Sequence, residues 1–300
     1  MIKPRWITFA SACALTLSAG GSISGSQKLP GAAPRLAVTA QLRSVRPGEL
    51  VVLTIASSAP AVHVRAFDHD LTPFPIDTKT WRVLVGIDLE TRPGTYLVTI
   101  EAVGDPAASL HTTYRLVVTP RRFPTRTLTV DPAFVNPPDS ALARIASEAA
   151  QLNKIWASSA PQRLWDGPFL RPVPDPANSA FGTRTILNGE PRSPHGGADF
   201  SSAAGTPIAA PNSGRVVAAG DFYYTGNTLV LDHGLGLVSL FAHLSETSVR
   251  KGDTVKTGEI LGKVGATGRV TGPHLHWTVR VNGARIDPLS LLAVLGAPAR

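Results

Sequence analysis

Thr271-Gly272-Pro273-His274-Leu275-His276-Trp277-Thr278-Val279-Arg280-Val281-Asn282-Gly283 is the stretch whose reading decides the fold. Thr271-Gly272-Pro273 is a turn, residues 276–281 read as a strand, and Asn282-Gly283 is a hairpin signal. Successive side chains on a strand point to opposite faces. His274 and His276 therefore share one face at a rim, while Leu275 points into the core. The same texture runs from Phe181 onward. Residues 214–219, 228–231, 237–242 and 259–264 read as further strands, separated by Asn212-Ser213-Gly214, Asp232-His233-Gly234 and Lys251-Gly252-Asp253. Strands and helices do not alternate, which argues against a parallel α/β fold.

Upstream, residues 36–42, 50–56, 81–87, 96–102 and 112–119 are rich in Val, Ile, Thr and Tyr. Turns such as Arg46-Pro47-Gly48-Glu49 and Arg92-Pro93-Gly94-Thr95 separate them, and the spacing predicts a small antiparallel sandwich. No Cys…Trp…Cys pattern supports an antibody-type domain. Residues 120–137 are rich in Pro and Arg and read as extended. Asp139 is the expected N-cap of a helix over 140–157, with Leu142, Ile145, Ala149, Leu152 and Trp156 on one packing face. Residues 158–180 are again proline-rich and are expected to cross to the second domain. The chain thus reads as mainly β: an export segment (1–21), a linker (22–35), a β-rich accessory domain (36–130), a helix and linker (131–180) and a C-terminal β domain (181–292).

Hydrophobic residues make up 43% of the 300 and charged residues only 17%, so most of the chain should bury a core. Its 27 glycines and 26 prolines favour turns and short strands over long helices. A formal charge of +8 suits an anionic partner. No Lys/Arg tract with interleaved aromatics exists, which argues against nucleic acid. Lys3 and Arg5 precede a largely apolar run over 6–17 and the small residues Ser18, Ala19, Gly20 and Gly21, the layout of an export signal. The run is too short to span a bilayer comfortably. Ala10-Ser11-Ala12-Cys13 weakly resembles a bacterial lipobox, making Cys13 a candidate lipid anchor. If the segment is simply removed, no cysteine remains for a disulfide. Either route puts the protein outside the cytoplasm, in the periplasm or cell envelope.

Three pieces in the C-terminal third carry chemistry: His195-Gly196-Gly197-Ala198-Asp199, His243, and His274-Leu275-His276. His and Asp are zinc-type ligands, and three of them leave one tetrahedral position open, as in a catalytic site. The other two histidines could act as acid, base or oxyanion donor. Singly, each piece has a plainer reading: a His–Asp hydrogen bond, a packed histidine, two surface histidines. Pro194 and the glycines argue for a loop that curls until His195 and Asp199 meet, rather than a helix. Other residues carry less. Asp68-His69-Asp70 reads as a polar loop. Asn188 and Tyr223-Tyr224 could line a groove. His233 reads as a hairpin residue. Residues 249–258 look like the hairpin of a lipoyl carrier but present no recognisable lysine for modification.

Together the pieces resemble the M23 (lysostaphin/LytM-type) zinc metallopeptidases. His195-x-x-x-Asp199, His243-Leu244 and Gly272-Pro273-His274-Leu275-His276-Trp277 carry the resemblance. Phe181-Gly182, Asn188-Gly189, Gly205-Thr206-Pro207, Gly226-Asn227, Asp232-His233-Gly234, Lys251-Gly252-Asp253 and Gly265-Ala266-Thr267-Gly268 frame them in order. The resemblance implies an antiparallel sheet with a groove, one Zn²⁺ held by His195, Asp199 and His276, and His243 with His274 as the catalytic pair. It also implies hydrolysis of peptide cross-links in peptidoglycan. Glycyl-glycine bridges and D-alanyl–diaminopimelate cross-links are both cut within the family. The lipobox-like segment and the lack of an obvious wall-binding repeat lean toward the second bond. The alternative is a non-catalytic wall-binding or hydrolase-activating module on the same fold, members of which lack one or more ligands. A further expectation is that residues 158–180 or the N-terminal domain lie across the groove and gate it.

Overall fold

The computed structural model describes residues 36–104, 109–129, 136–178 and 181–297. The export segment, the linker over 22–35 and Cys13 lie outside the described residues. The N-terminal unit contains β1 (Ala37–Leu42), β2 (Leu50–Ala56), β3 (Ala61–Ala66), β4 (His69–Leu71), β5 (Phe74–Asp77), β6 (Thr80–Gly86), β7 (Gly94–Val103) and β8 (Leu110–Val118). They form two antiparallel sheets, ordered β1-β2-β6-β5 and β4-β3-β7-β8. Val51, Leu53, Ile55, Val83 and Val85 of one sheet meet Val62, Val64, Val98, Ile100 and Leu116 of the other in a dry core. This is the expected sandwich, with three short strands added. Asp68-His69-Asp70 is split between a tight turn, with Asp68 at φ 62, and the start of β4.

β2 explains how the two halves join. Its sequence, LVVLTIA, does not alternate with polar residues because both of its faces are covered. Val51, Leu53 and Ile55 enter the sandwich, whereas Leu50 and Val52 enter the core of the C-terminal unit. A buried ion cluster seals the contact. Glu49, 3% exposed, pairs with Arg43 at 2.7 Å and Arg121 at 3.4 Å. The same two guanidinium groups bind Asp287 at 2.8 and 3.2 Å, and Ser290 Oγ donates to Glu49 at 2.8 Å. Leu50 N in turn donates to Ser290 Oγ.

β9 (Thr125–Leu128) follows, and then α1 (Asp139–Ala157). Asp139 is not the N-cap. Pro138 occupies that position without a side-chain cap, and Asp139 is the first helical residue, where its charge still complements the helix dipole. The packing stripe is shorter than its spacing predicts. Leu152, Ile155 and Trp156 pack on the sheet, whereas Leu142 is 49% exposed and Ala149 is exposed. The N-terminal half of the helix instead reaches the sheet by polar contacts: Arg144 binds Asp221 at 2.9 Å, and Glu148 accepts from Tyr223 N at 2.8 Å.

The C-terminal unit contains β10 (Arg184–Leu187), β11 (Glu190–Pro191), β12 (Gly197–Phe200), β13 (Pro207–Ala209), β14 (Gly214–Phe222) and β15 (Gly226–Gly234). β16 (Leu237–Thr247), β17 (Thr254–Val255), β18 (Ile260–Val264), β19 (Leu275–Val281), β20 (Ala284–Ile286) and α2 (Pro288–Leu295) complete it. Nine strands make one antiparallel sheet, with β12-β19-β16-β15-β14-β17 as its spine. β9 adds a parallel strand to the small β10–β11 hairpin.

The period of two sorts β19 cleanly. Leu275, Trp277, Val279 and Val281 enter the main core with Phe200, Leu229, Leu231 and Phe241. The residues between them, His276, Thr278 and Arg280, face the other side, opposite Ala242, Leu240 and Val238 of β16. α1 packs on that same side, over Ala218, Val230, Val238, Leu240 and Ala242. The end of residues 158–178 lies along β12, with Ala177 opposite Phe200 and Asn178 N donating to Asp199 O at 3.0 Å. Trp165, Phe169 and Val173 are buried in the core behind the sheet, as are Leu50, Val52, Phe74 and Leu84 from the sandwich. These buried side chains of the linker and of the sandwich face away from the site. Apolar side chains inside the proline-rich stretch draw it into the core instead.

Candidate metal centre

β19 and the edge strand β12 bring the first three residues together. Asp199 stands directly opposite His276 in the antiparallel register, and Gly197 opposite Thr278. The expected curl of His195-x-x-x-Asp199 is confined to the residues before Gly197, and the rest is strand. Gly197 is needed for space rather than for an unusual φ: a Cβ there would lie 2.5 Å from Trp277 O and 2.8 Å from His276 Cε1. His195 is anchored by its own backbone, its N donating to Thr183 O and its O accepting from Gly182 N.

The three side chains converge on one point. His195 Nε2 lies 2.9 Å from His276 Nδ1 and 3.0 Å from Asp199 Oδ1, and His276 Nδ1 lies 2.9 Å from the same oxygen. His276 Nε2 is 2.9 Å from Thr278 Oγ1. If Nε2 carries the proton and donates it to that hydroxyl, Nδ1 presents a lone pair to a carboxylate and a second imidazole. In that tautomer the three atoms form a set of acceptors that a cation would complete. Three ligands about 2.0–2.1 Å from a tetrahedral Zn²⁺ would stand about 3.3 Å apart, so the triangle needs to open by a few tenths of an ångström. Two neutral imidazoles, one carboxylate and a second-shell hydroxyl suit that ion. Burial alone would raise the Asp199 carboxyl, but the imidazoles of His195 and His276 beside it hold it well below the ordinary range. Burial likewise lowers His276, which favours the neutral ligand form.

His243 and His274 complete the group. His274 Nε2 lies 3.9 Å from Asp199 Oδ1, and the rings of His243 and His274 are 4.9 Å apart. A bulge aims His243. β15 and β16 pair Leu229 with Phe241 but Asn227 with Leu244, so β16 carries one extra residue. Phe241 and Leu244 both enter the core, and His243, at φ 65, is turned out toward His274 and His276. The left-handed conformation is uncommon for a non-glycine residue and is held here by three contacts. His243 N donates to Thr225 O, Nδ1 lies 2.9 Å from Thr267 O, and Thr267 Oγ1 donates to Leu244 O. His274 Nδ1 is 2.9 Å from Gly272 O. A carbonyl accepts only from N–H, so both Nδ1 atoms are protonated, and a neutral ring then keeps its lone pair on Nε2. Burial pushes His243 down to about 4, so it is neutral near pH 7.

The structure thus gathers all five sequence-derived residues, His195, Asp199, His243, His274 and His276, on one face. Tyr223 and Tyr224 sit on the β14–β15 turn beside His243, and Asn188 at the tip of the β10–β11 hairpin, whose N donates to Leu128 O. His233 does not join them. It is fully buried behind the sheet, between Ser213 O at 2.8 Å and Ser239 Oγ at 3.0 Å. Residues 249–258 form a turn closed by Arg250 N on Asp253, followed by the short strand β17 paired with β14. Two contributors were missed. Thr278 was legible as the next same-face residue after His276. Thr267 acts through its carbonyl, which no side-chain pattern announces.

The model of Peptidase family M23 matches residues 193–288. A solved structure from Pseudomonas aeruginosa assigned to peptidase M23 is 30% identical and superposes with a TM-score of 0.67. It covers 84% of this chain, and this chain covers 97% of it, so the likeness includes the N-terminal unit. The Neisseria meningitidis protein named DD-carboxypeptidase/endopeptidase Mpg is 41% identical over 97 residues. The Vibrio cholerae peptidoglycan DD-endopeptidase ShyA is 41% identical over 96. Each of these alignments covers 32% of this chain and 22% of the relative. On the family model, the near full-length structural likeness and the site geometry, the chain belongs to peptidase family M23.

Proposed function

We propose that the protein is an exported zinc metalloendopeptidase that hydrolyses peptide cross-links of peptidoglycan in the periplasm or cell envelope. One observation carries the reading: three acceptor atoms converge within 3.0 Å of one another beside two histidines whose Nδ1 atoms are both capped by carbonyls. The first three residues would hold the ion through His195 Nε2, Asp199 Oδ1 and His276 Nδ1. Zinc, when bound, supplies Lewis acidity toward a scissile carbonyl and makes water a stronger acid. His243 and His274 then have a defined task. One Nε2 lone pair accepts the proton of the attacking water, and the carbonyl on that ring's Nδ1, Thr267 O or Gly272 O, stabilises the imidazolium formed. Either imidazolium can stabilise the tetrahedral oxyanion and then protonate the leaving amine.

The substrate assignment rests on the names of relatives that match only the C-terminal third, together with the basic charge and the export signal. The test is mass spectrometry of fragments released from defined sacculi by the full chain, with Zn²⁺ present and with a chelator. Zinc-dependent conversion of cross-linked dimers to monomers is expected. Intact dimers after incubation with zinc-loaded protein would refute the reading.

A further inference from the structure

α1 lies upstream of the peptidase unit, yet one of its side chains closes the turn that holds His243. Arg144, Glu148, Leu152, Ile155 and Trp156 recur at helical spacing and share one face of the helix. Leu152, Ile155 and Trp156 lie over the apolar side of the sheet, against Ala218, Val230, Val238, Leu240 and Ala242. The same face becomes charged where the ladder ends. β14 and β15 close at the pair Phe222–Gly226, so Tyr223, Tyr224 and Thr225 lie beyond it. A backbone amide left there still needs an acceptor, and that of Tyr223 finds one in the helix. Glu148 Oε2 accepts from Tyr223 N at 2.8 Å, and Glu148 Oε1 accepts from Arg144 Nε at 2.6 Å. Arg144 Nη2 donates in turn to the carbonyl and to the carboxylate of Asp221, both at 2.9 Å.

This contact leads to the proposed acid–base pair in two steps. Thr225 follows Tyr223 by two residues, and Thr225 O accepts from His243 N at 2.8 Å. That bond is one of those fixing His243 at φ 65 on its bulge. The loop is also tied from its other end, since Thr228 Oγ1 donates to Thr225 Oγ1 at 2.7 Å. A three-residue loop between two paired strands has little slack, so the place where the Tyr223 amide is held sets where the Thr225 carbonyl points. The Glu148 side chain is only 17% exposed, which leaves water little access to take over as acceptor.

We propose that Glu148 is a positioning residue for His243. α1 supplies an acceptor that fixes the Thr225 carbonyl and, through it, the backbone and ring of His243. The peptidase unit thus reaches full turnover only with this helix docked on its turn. The inference rests on the peptidase reading above. The carboxylate acts through the turn and takes no part in the chemistry.

The experiment uses full-length protein loaded with Zn²⁺ and cross-linked muropeptide dimers. In Glu148→Ala, kcat should fall about 10–100-fold while KM and zinc content stay near wild type. Glu148→Gln keeps an oxygen acceptor at the same reach and should recover most of the loss. Glu148→Asp keeps the charge on a shorter stem and should not. Introduced into His243→Ala protein, Glu148→Ala should cost no more than about twofold, because the group it positions is gone. Unchanged kcat in Glu148→Ala, a glutamine variant as slow as the alanine one, or the same fold-loss in both backgrounds overturns the inference and leaves the peptidase reading intact. Failure of the wild type to cut any dimer overturns the peptidase reading. Hydrogen exchange of the His243 amide then decides the positioning by itself: exchange about 10-fold faster or more in Glu148→Ala supports it, and exchange at the wild-type rate overturns it.

Discussion

Thr278→Val isolates the tautomer argument on which the metal centre depends. The substitution keeps shape and strand propensity on β19 and removes only the hydroxyl 2.9 Å from His276 Nε2. Thr278 is 9% exposed and faces Gly197 across the register, so water has little room to replace the lost oxygen. The Nε2–H is then left buried without an acceptor, which costs about 1–3 kcal/mol. Moving the proton to Nδ1 would relieve that cost but would remove the lone pair from the site. Either way zinc binding weakens. Loss of such an outer-shell partner generally lowers metal affinity about 10–100-fold, which is about 1.4–2.8 kcal/mol and agrees with the first estimate. The assay is competition for Zn²⁺ between the apoprotein and a chromophoric chelator at pH 7, with thermal unfolding to verify the fold. Thr278→Ser, which keeps the hydroxyl, should stay within a few-fold of wild type. Wild-type affinity in Thr278→Val, or equal weakening in the serine variant, would falsify the assigned tautomer.

Three other outcomes follow from the same structure. Asp199→Ala and His276→Ala should release zinc, whereas His243→Ala and His274→Ala should keep it and lose about 10²–10⁴-fold in turnover; elemental analysis alongside hydrolysis rates separates the two classes, and a fully active His243→Ala protein would sink the division. Burial pushes His233 down to about 4 in the folded protein against about 6.5 when unfolded. The unfolded chain therefore binds the extra proton first, and stability present above pH 6.5 should drop by up to about 3 kcal/mol as the pH falls toward 4. Unfolding midpoints across that range should flatten in His233→Gln, and identical slopes would contradict the assignment. Glu49→Ala should cost about 3 kcal/mol, because it leaves Arg43, Arg121 and Ser290 gathered around a missing carboxylate; an unaltered urea midpoint would show that the cluster does not join the two units.

The sequence exposed the elements whose signals are local. The alternation in β19 announced a strand, and its parity put His274 and His276 on one side with Leu275 in the core. Pro-Gly turns announced the sandwich. Capping was misjudged at Asp139, because Pro138 already supplies the extended geometry that precedes the helix. The helix stripe was overextended, because spacing records which residues could pack and not how far the sheet beneath them reaches. Residues 158–178 looked like a spacer by their prolines. Trp165, Phe169 and Val173 make them part of the core, and burial of that kind depends on what the rest of the chain places opposite.

The site divides in the same way. Residue types and their order were enough to single out His195, Asp199, His243, His274 and His276, since ligands and bases must be particular side chains. What the sequence could not supply was the convergence itself. Asp199 meets His276 only because β12 pairs with β19 in one register among several. His243 reaches the group only because an extra residue in β16 turns it away from a core that its neighbours Phe241 and Leu244 enter. Thr267 and Gly272 matter through carbonyls, which every residue possesses, so only their placement gives them a role. Chemistry of side chains is written along the chain, but distances between residues far apart in sequence are set by strand pairing and bulges, and these the tertiary structure alone decides.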